Sequence, residues 1–296
     1  RHGTYASCLG QEACQIGSAF AMSKEDLAFP SFREHGVFIS RGMPLDLLFL
    51  YWIGDERGMK IPKDITMFPV SIPVGTHLPH AVGAAMAFSY LKQKKAAIAY
   101  FGDGATSKSD FHEAMNFAGV FKAPVVFICQ NNQFAISIPV KEQTASATLA
   151  QKAIAYGFEG IKVDGNDVFA AYKASLDALN KARAGKGPTF IEFFTYRIGD
   201  HTTSDDASKY RSESELKLWK AKDPIERLKK YMQSKNLLSS SYEKSVLANA
   251  EKLVESAVKK AEAIPRIKPE EIFDFMYSSL TPDLQEEKEQ VKKEAE

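Results

Sequence analysis

Two short apolar runs, separated by one amphipathic segment, constrain the fold of this chain most strongly. Residues 97–101 and 125–129 are compact apolar runs that end in polar or glycine residues, as buried parallel strands do. Between them, residues 109–121 repeat apolar side chains at the spacing of one helical face. The order strand, loop, helix, strand is a βαβ unit, which predicts an α/β fold with a parallel sheet and helices on both faces.

Near residue 223 the sequence changes from alternating strand and helix patterns to helical patterns alone. We expect residues 1–222 to form the α/β domain and residues 223–296 to form a C-terminal helical extension. Asp223-Pro224 is a helix start signal, and residues 242–263 have helical periodicity. At the other end, we expect the chain to open directly in a helix at residue 1.

Charge and cysteine content exclude several classes of function. The formal net charge is +1, so the composition offers no electrostatic attraction to nucleic acid or to a membrane surface. The longest apolar run, residues 45–53, is far shorter than the ~20 residues that span a bilayer. Cys8, Cys14 and Cys129 form no disulfide or zinc pattern, which favours a reducing compartment. We therefore expect neither nucleic acid nor a membrane as a partner.

Polar residues follow both strands of the βαβ unit. Gly102-Asp103-Gly104 comes after the first strand, and Asn131-Asn132 ends the second. Parallel strands meet at one carboxyl edge, where open α/β sheets bind ligands, and the glycines let backbone approach a ligand closely. One carboxylate and one amide oxygen suit Mg²⁺, which takes its remaining ligands from phosphates and water. The pattern predicts a magnesium-phosphate site built on Asp103 and Asn132.

This arrangement is similar to the thiamin diphosphate motif, in which Gly-Asp-Gly is followed by Asn-Asn one βαβ unit later. Further segments resemble the α subunits of 2-oxo acid dehydrogenase E1 components, and the likeness runs from about Gly10 to the helix at Asp223. Within that family the chain looks closer to the branched-chain enzymes than to the pyruvate dehydrogenases. The segments that carry the resemblance are residues 29–36, 71–76, 163–168 and 196–206.

The resemblance implies the parallel-sheet thiamin-diphosphate-binding fold, with thiamin diphosphate and Mg²⁺ as cofactors. Asp103 and Asn132 match the side-chain ligands of Mg²⁺, and Phe134 matches the residue whose backbone carbonyl binds the metal. The positions that match cofactor-contacting residues are Phe32, Arg33, Ile72, Val74, Gly102, Gly104, Ala105, Gln130, Asn132 and His201.

Two of these positions match residues that handle charge directly. Arg33 matches the arginine that binds the diphosphate, a role that suits a guanidinium fork. His201 matches a loop histidine that reaches both the diphosphate and the reacting substrate, so we expect it to be catalytic, as proton donor or electrostatic stabiliser. Phe32 stands where branched-chain relatives carry tyrosine, and Gln130 stands where some relatives carry arginine. We therefore expect a less positive phosphate pocket, which relies more on His201 and the metal.

A second ion is implied by the segment that follows residue 70. Ser71, Pro73, Thr76 and His77 match residues that bind a structural potassium ion in the branched-chain enzymes. Here His77 replaces an amide side chain, which weakens the match. A proline-punctuated loop that packs against a helix start is the alternative interpretation.

The implied reaction is oxidative decarboxylation of a 2-oxo acid, branched-chain by the closer match, followed by reductive acylation of the lipoyl group of the E2 acyltransferase. In such two-chain enzymes the glutamate that hydrogen-bonds the aminopyrimidine ring lies on the β subunit. This chain should therefore be active only in an α2β2 heterotetramer with E1 β. The expected location is the cytoplasm in a prokaryote and the mitochondrial matrix in a eukaryote.

Three alternatives remain open. One is the α subunit of a pyruvate or acetoin dehydrogenase, and another is the N-terminal half of a split transketolase. The third is a non-catalytic scaffold that only binds thiamin diphosphate, which Phe32 and Gln130 favour. The scaffold interpretation is opposed by the presence of all four residues that match the metal, diphosphate and catalytic positions, namely Asp103, Asn132, Arg33 and His201.

Overall fold

The computed structural model describes residues 3–295 and contains seven strands. They are β1 (Leu27–Phe29), β2 (Ala97–Gly102), β3 (Val125–Asn131), β4 (Phe134–Ala135), β5 (Ile138–Pro139), β6 (Glu159–Asp164) and β7 (Thr189–Phe194). Five of them form one parallel sheet in the order β1-β2-β3-β7-β6, while β4 and β5 pair as a separate antiparallel hairpin.

Helices surround the sheet and continue beyond it. The α-helices of the described residues are α1 (Glu12–Ala21), α2 (His35–Ser40), α3 (Leu45–Trp52), α4 (His77–Tyr90), α5 (Ser109–Val120), α6 (Val140–Gln143), α7 (Val168–Arg183), α8 (Glu213–Lys220), α9 (Pro224–Ser234), α10 (Ser240–Glu262) and α11 (Pro282–Ala295). No helix among residues 3–295 combines the length and apolarity that a membrane crossing needs.

Successive residues of the central strands face opposite layers of helices. Ala99 and Phe101 of β2 belong to a buried cluster with α4 and α5. Ile98 and Tyr100, one residue away, belong to a second cluster with α1, α2 and α7. The side-chain period of two therefore gives the sheet two apolar faces, each covered by helices. This arrangement confirms the predicted parallel α/β fold.

The βαβ unit has the predicted connection. β2 and β3 are direct neighbours, with Gly102 in register with Gln130, and α5 links them. The residues that follow these two strands, Asp103 and Asn132, therefore emerge side by side at the carboxyl edge of the sheet.

The expected helix at the start of the chain is absent from the described residues. Residues 1 and 2 lie outside the described range, and residues 3–10, which we call the N-terminal strap, are not helical before α1 begins at Glu12. The strap is bonded to the segment after β7 instead. Ile198 donates its backbone N–H to Leu9 O at 3.0 Å, and Thr195 donates its hydroxyl to Gly10 O at 2.8 Å. These long-range bonds replace those a helix would have supplied.

The first C-terminal helix begins where the sequence predicts, and α10 begins two residues before the predicted Tyr242. Asp223 caps α9 by accepting hydrogen bonds from the backbone N–H groups of Ile225 at 2.9 Å and Glu226 at 3.0 Å, and Pro224 occupies the first turn. α9 packs against α1, and α10 packs against α3. The charged α11 has no buried residue.

Helix α1 lies unusually close to α7. A Cβ atom added at Gly17 would lie 2.7 Å from Val168 O and 2.8 Å from Ala171 Cβ, whereas one added at Gly83 in α4 meets nothing within 4 Å. We expect Gly17→Ala to lower the free energy of unfolding by about 1–3 kcal/mol, since α1 must move away from backbone atoms. Gly83→Ala is the matched control and should raise it by about 0.5–1 kcal/mol through helix propensity. Urea denaturation measures both. An unchanged or raised value for Gly17→Ala would contradict the close packing.

Candidate functional site

A cavity of about 490 Å³ lies at the carboxyl edge of the sheet. It is lined by Asp103 and Phe134, and by every residue that the motif match assigns to the cofactor. Those residues are Phe32, Arg33, Ile72, Val74, Gly102, Gly104, Ala105, Gln130, Asn132 and His201. Residues scattered over 170 positions of sequence thus meet in one place. Its wall also includes residues that sequence reasoning missed, namely Thr4, Ala6, Trp52 and Lys108.

Three oxygen atoms converge at the base of this cavity. The side-chain oxygen of Asn132 lies 3.1 Å from Phe134 O and 3.3 Å from Oδ1 of Asp103, while its Nδ2 donates to Gln11 Oε1 at 3.0 Å. In this orientation the amide presents its oxygen, and not its NH₂ group, to the other two oxygens, so the only proton that can lie between them is that of a neutral Asp103 carboxyl group. A cation between them satisfies all three; without a cation, the amide gains by turning its NH₂ group toward them.

The oxygen cluster fits a small hard cation better than a soft one. Carboxylate, amide and carbonyl oxygens are donors that Mg²⁺ accepts, with water and phosphate completing its octahedron. Among residues 3–295, no group of three or more His, Cys, Asp or Glu side chains forms a metal site. The donor set at Asp103 is therefore sparse and leaves room for ligands that the protein does not provide.

Asp103 is a buried carboxylate. Burial raises the pKa of Asp103 to about 6, against the opposing effect of Gln143, whose Nε2 donates to Oδ2 at 2.8 Å. At pH 7 the group is mostly ionised, and a buried anion of this kind needs a positive partner. None of the ion pairs among the described residues involves it.

Two buried arginines bring positive charge to the cavity. Arg33 donates to the backbone oxygens of Ser7 at 2.6 Å and His201 at 2.9 Å, and Arg197 donates to Phe134 O at 3.1 Å. Within residues 3–295 neither guanidinium forms an ion pair with a carboxylate. Burial lowers the pKa of both, that of Arg33 to about 10, so both are charged at neutral pH. The cavity therefore suits an anion.

The contact between His201 and Arg33 defines the tautomer of the imidazole. Nδ1 of His201 lies 3.1 Å from Nη2 of Arg33. Since a guanidinium has no acceptor, Nδ1 must accept, and the ring proton lies on Nε2. Burial, followed by the charges of Arg33 and Arg197, lowers the pKa of His201 to about 4. His201 is thus a neutral hydrogen-bond donor near pH 7.

Gln130 belongs to a buried polar network. Its Nε2 donates to Oε1 of Glu34, and its Oε1 accepts from Nε2 of Gln15 at 2.9 Å. Glu34 is fully buried, and this burial raises its pKa; its second oxygen, Oε2, has no partner among the described residues. Position 130, where some relatives carry arginine, therefore holds a neutral side chain that is hydrogen-bonded to a carboxyl group.

Sequence reasoning missed the polar face of α1 and the loop just before it. Gln11, Gln15 and Ser18 are all fully buried, and the first two bond to Asn132 and Gln130. Their spacing of four and three residues is that of one helical face. The sequence did contain a signal for them, because these polar side chains occur at the spacing of the helical face that packs against the core. Polar groups buried in that way need specific hydrogen-bond partners, which the sequence does not identify.

The four residues matched to a potassium site do not line the cavity, whereas Ile72 and Val74, which lie between them in the sequence, do. The hydroxyl groups of Ser71 and Thr76 are 3.1 Å apart, and Thr76 donates to Pro73 O at 3.0 Å. The ring of His77 is buried and its Nε2 donates to Tyr100 O at 2.7 Å, so His77 joins α4 to β2. Its Nδ1 has no partner among the described residues.

The protonation state of His201 is open to direct measurement. We expect His201 to stay neutral, with its proton on Nε2, from pH 8 down to pH 5, because burial and two arginines oppose a further positive charge. ¹⁵N-histidine NMR measures this, and the difference from the spectrum of His201→Gln assigns the signal. A protonation midpoint of 6 or higher would contradict this environment.

Comparison with known proteins places these features in a family. Residues 1–270 match the family model described as dehydrogenase E1 component. The 3-methyl-2-oxobutanoate dehydrogenase subunit alpha of Mycobacterium tuberculosis is 46% identical over 291 residues, covering 98% of this chain and 79% of that protein. The pyruvate dehydrogenase E1 component subunit alpha is 44% identical over 292 residues in Acholeplasma laidlawii, covering 98% and 85% of the two chains. Its Bacillus subtilis counterpart is 40% identical over 288 residues, covering 97% and 78%. The chain belongs to the dehydrogenase E1 component family, which confirms the family predicted from its motifs.

Proposed function

We propose that this chain is the α subunit of a 2-oxo acid dehydrogenase E1 component and binds thiamin diphosphate with Mg²⁺ in the cavity at the carboxyl edge. One observation carries the proposal: two buried arginines without carboxylate partners lie beside three converging oxygens. A diphosphate bound to a divalent cation complements both, because its anionic oxygens meet the guanidinium groups while its metal meets Asp103.

Each residue has a definite task in this proposal. Asp103 and Asn132 hold the metal through side-chain oxygens, and Phe134 through its carbonyl. Gly104 lets the backbone of the turn after β2 pack closely against Ala135, since a Cβ at this position would lie 2.8 Å from Ala135 Cβ. The remaining contacts come from Phe32, Arg33, Ile72, Val74, Gly102, Ala105 and Gln130.

When bound, thiamin diphosphate supplies the chemistry that decarboxylates a 2-oxo acid; the protein supplies orientation and electrostatics. His201 acts as the catalytic residue. Its neutral Nε2–H donates a hydrogen bond to an anionic oxygen of diphosphate or substrate without adding a buried charge. Arg33 orients the ring through Nδ1, so the proton is kept on the nitrogen that needs it.

The open side of the cavity supports a partner chain. Ile72 and Val74 line the cavity while exposing 49% and 43% of their surface, so this wall is unfinished. In the proposed α2β2 heterotetramer, E1 β would complete it and provide the glutamate for the aminopyrimidine ring. The acyl group would then pass to the lipoyl group of E2. The relatives named above come from bacteria, which favours the cytoplasm as the location.

The substrate and the second ion are finer parts of the proposal. A branched-chain 2-oxo acid is favoured by the segments over 165–168 and 203–206, and by the name of the Mycobacterium tuberculosis relative. Pyruvate is the second candidate, since two relatives of comparable identity carry that name. A potassium ion would use oxygens of Ser71, Pro73 and Thr76; with its Nε2 bonded to Tyr100 O, His77 could offer only Nδ1.

Removing the charged ligand tests the metal. In the chain co-expressed with the neighbouring-gene β candidate, we expect Asp103→Asn to weaken Mg²⁺-dependent binding of thiamin diphosphate about 10- to 100-fold, because one charge-assisted contact is lost. Titration calorimetry measures the affinity. Asp110→Asn, which alters a carboxylate of α5 outside the cavity lining, is the control. Equal affinity in the Asp103→Asn and parent complexes would refute the metal assignment.

Subunit dependence and substrate choice share one assay. We expect the purified chain alone to release no CO₂ from 2-oxo acids, because its half of the site is open. The complex with the β candidate should decarboxylate 3-methyl-2-oxobutanoate faster than pyruvate. Turnover by the isolated chain would overturn the two-subunit proposal. A preference for pyruvate would retain the E1 function and select the second candidate.

A further inference from the structure

The N-terminal strap and the loop that carries His201 are bonded to each other directly through Thr203. We call residues 199–206 the His201 loop. Thr203 donates its backbone N–H to Tyr5 O at 3.0 Å, and its hydroxyl accepts from Tyr5 N at 3.1 Å and donates to Gly3 O at 3.2 Å. The hydroxyls of its neighbours Thr202 and Ser204 bond to each other instead, at 3.1 Å.

The strap is itself fixed to the body of the protein. Gly3 donates its N–H to Trp52 O at 3.1 Å, at the end of α3. The Tyr5 ring stacks on His35 with centroids 5.1 Å apart and meets Trp52 edge-on at 5.3 Å. His35 also bonds the strap through Nε2 to Ala6 O at 2.8 Å. A loop bonded to the strap is therefore bonded to a rigid support.

Arg33 closes the arrangement from inside the cavity. It donates to Ser7 O of the strap and also to the carbonyl oxygen and Nδ1 of His201. Strap and loop are thus held together at two points, Arg33 on the buried side and Thr203 on the exposed side. Because Arg33 is also proposed to bind an anion, Thr203 is the attachment that does not depend on the state of the cavity.

We propose that Thr203 is a positioning residue, whose hydroxyl attaches the His201 loop to the strap and so holds the His201 imidazole toward the cavity. This inference rests on the proposed function for its catalytic consequence, but the attachment itself is a property of this chain. Thr203 touches neither cofactor nor substrate in this scheme and acts only through His201.

The experiment compares three variants in the α/β complex. Thr203→Val removes the hydroxyl at nearly constant shape, Thr203→Ser retains it, and Ser204→Ala removes the adjacent hydroxyl that does not reach the strap. Hydrogen-deuterium exchange is measured without cofactor. Loss of two hydrogen bonds should raise the exchange rate of residues 199–206 about tenfold in Thr203→Val. Thr203→Ser and Ser204→Ala should exchange like the parent, and all three variants should keep the melting temperature of the parent.

Kinetics supply the second readout. With cofactor and 2-oxo acid saturating, kcat of Thr203→Val should fall about tenfold, which corresponds to a loosened loop that holds His201 in place for only about a tenth of the time. Thr203→Ser should restore it. Unchanged exchange in Thr203→Val would overturn the attachment, as would an equal rise in Ser204→Ala. Faster exchange with unchanged kcat would overturn the positioning role. A parent complex inactive toward every 2-oxo acid would count against the proposed function, while exchange would still decide the attachment.

Discussion

The parallel pairing of β2 with β3 is the constraint on which the rest of the site depends. It places Gly102 beside Gln130, so that Asp103 and Asn132 leave the sheet at the same edge, one residue apart in register. The strands are buried on both faces, which fixes their register because a slip of one residue would turn every apolar side chain to the wrong layer. The position of the oxygen cluster is therefore as well determined as the core itself.

Charge at this edge works against folding and in favour of binding. Arg33, Arg197 and Asp103 are all buried, yet the arginines donate to neutral acceptors and Asp103 accepts from an amide. Nε of Arg197 has no hydrogen-bond partner among the described residues. These neutral partners leave the three charges without an ion pair among the described residues, and a buried charge without one is costly. A ligand that carries both signs, such as a metal-bound diphosphate, relieves this cost and stabilises the folded chain by mass action.

The neutral groups around the cavity determine how its charges are presented. Gln130 occupies a position between Gln15 and Glu34, so no cation stands there, and burial keeps Glu34 toward its protonated form. His201 is neutral because burial, and after it the charges of Arg33 and Arg197, lower its pKa. The buried positive charge is thereby concentrated in Arg33 and Arg197, while Lys108 of the cavity wall is exposed.

The sequence by itself determined the βαβ unit, the residues at its carboxyl edge and the α/β class, because these depend on local periodicity and on turn residues at fixed spacing. It also identified His201 and Arg33, through motifs rather than through contacts. Only the tertiary structure decided that residues 3–10 form a strap and not a helix, since the bonds from Thr195, Ile198 and Thr203 that hold them come from residues almost 200 positions away. The same holds for Gln143 on Asp103 and for His77 on Tyr100. Hydrogen bonds between distant residues leave no periodic trace in a single sequence, because each depends on where the fold brings two elements together.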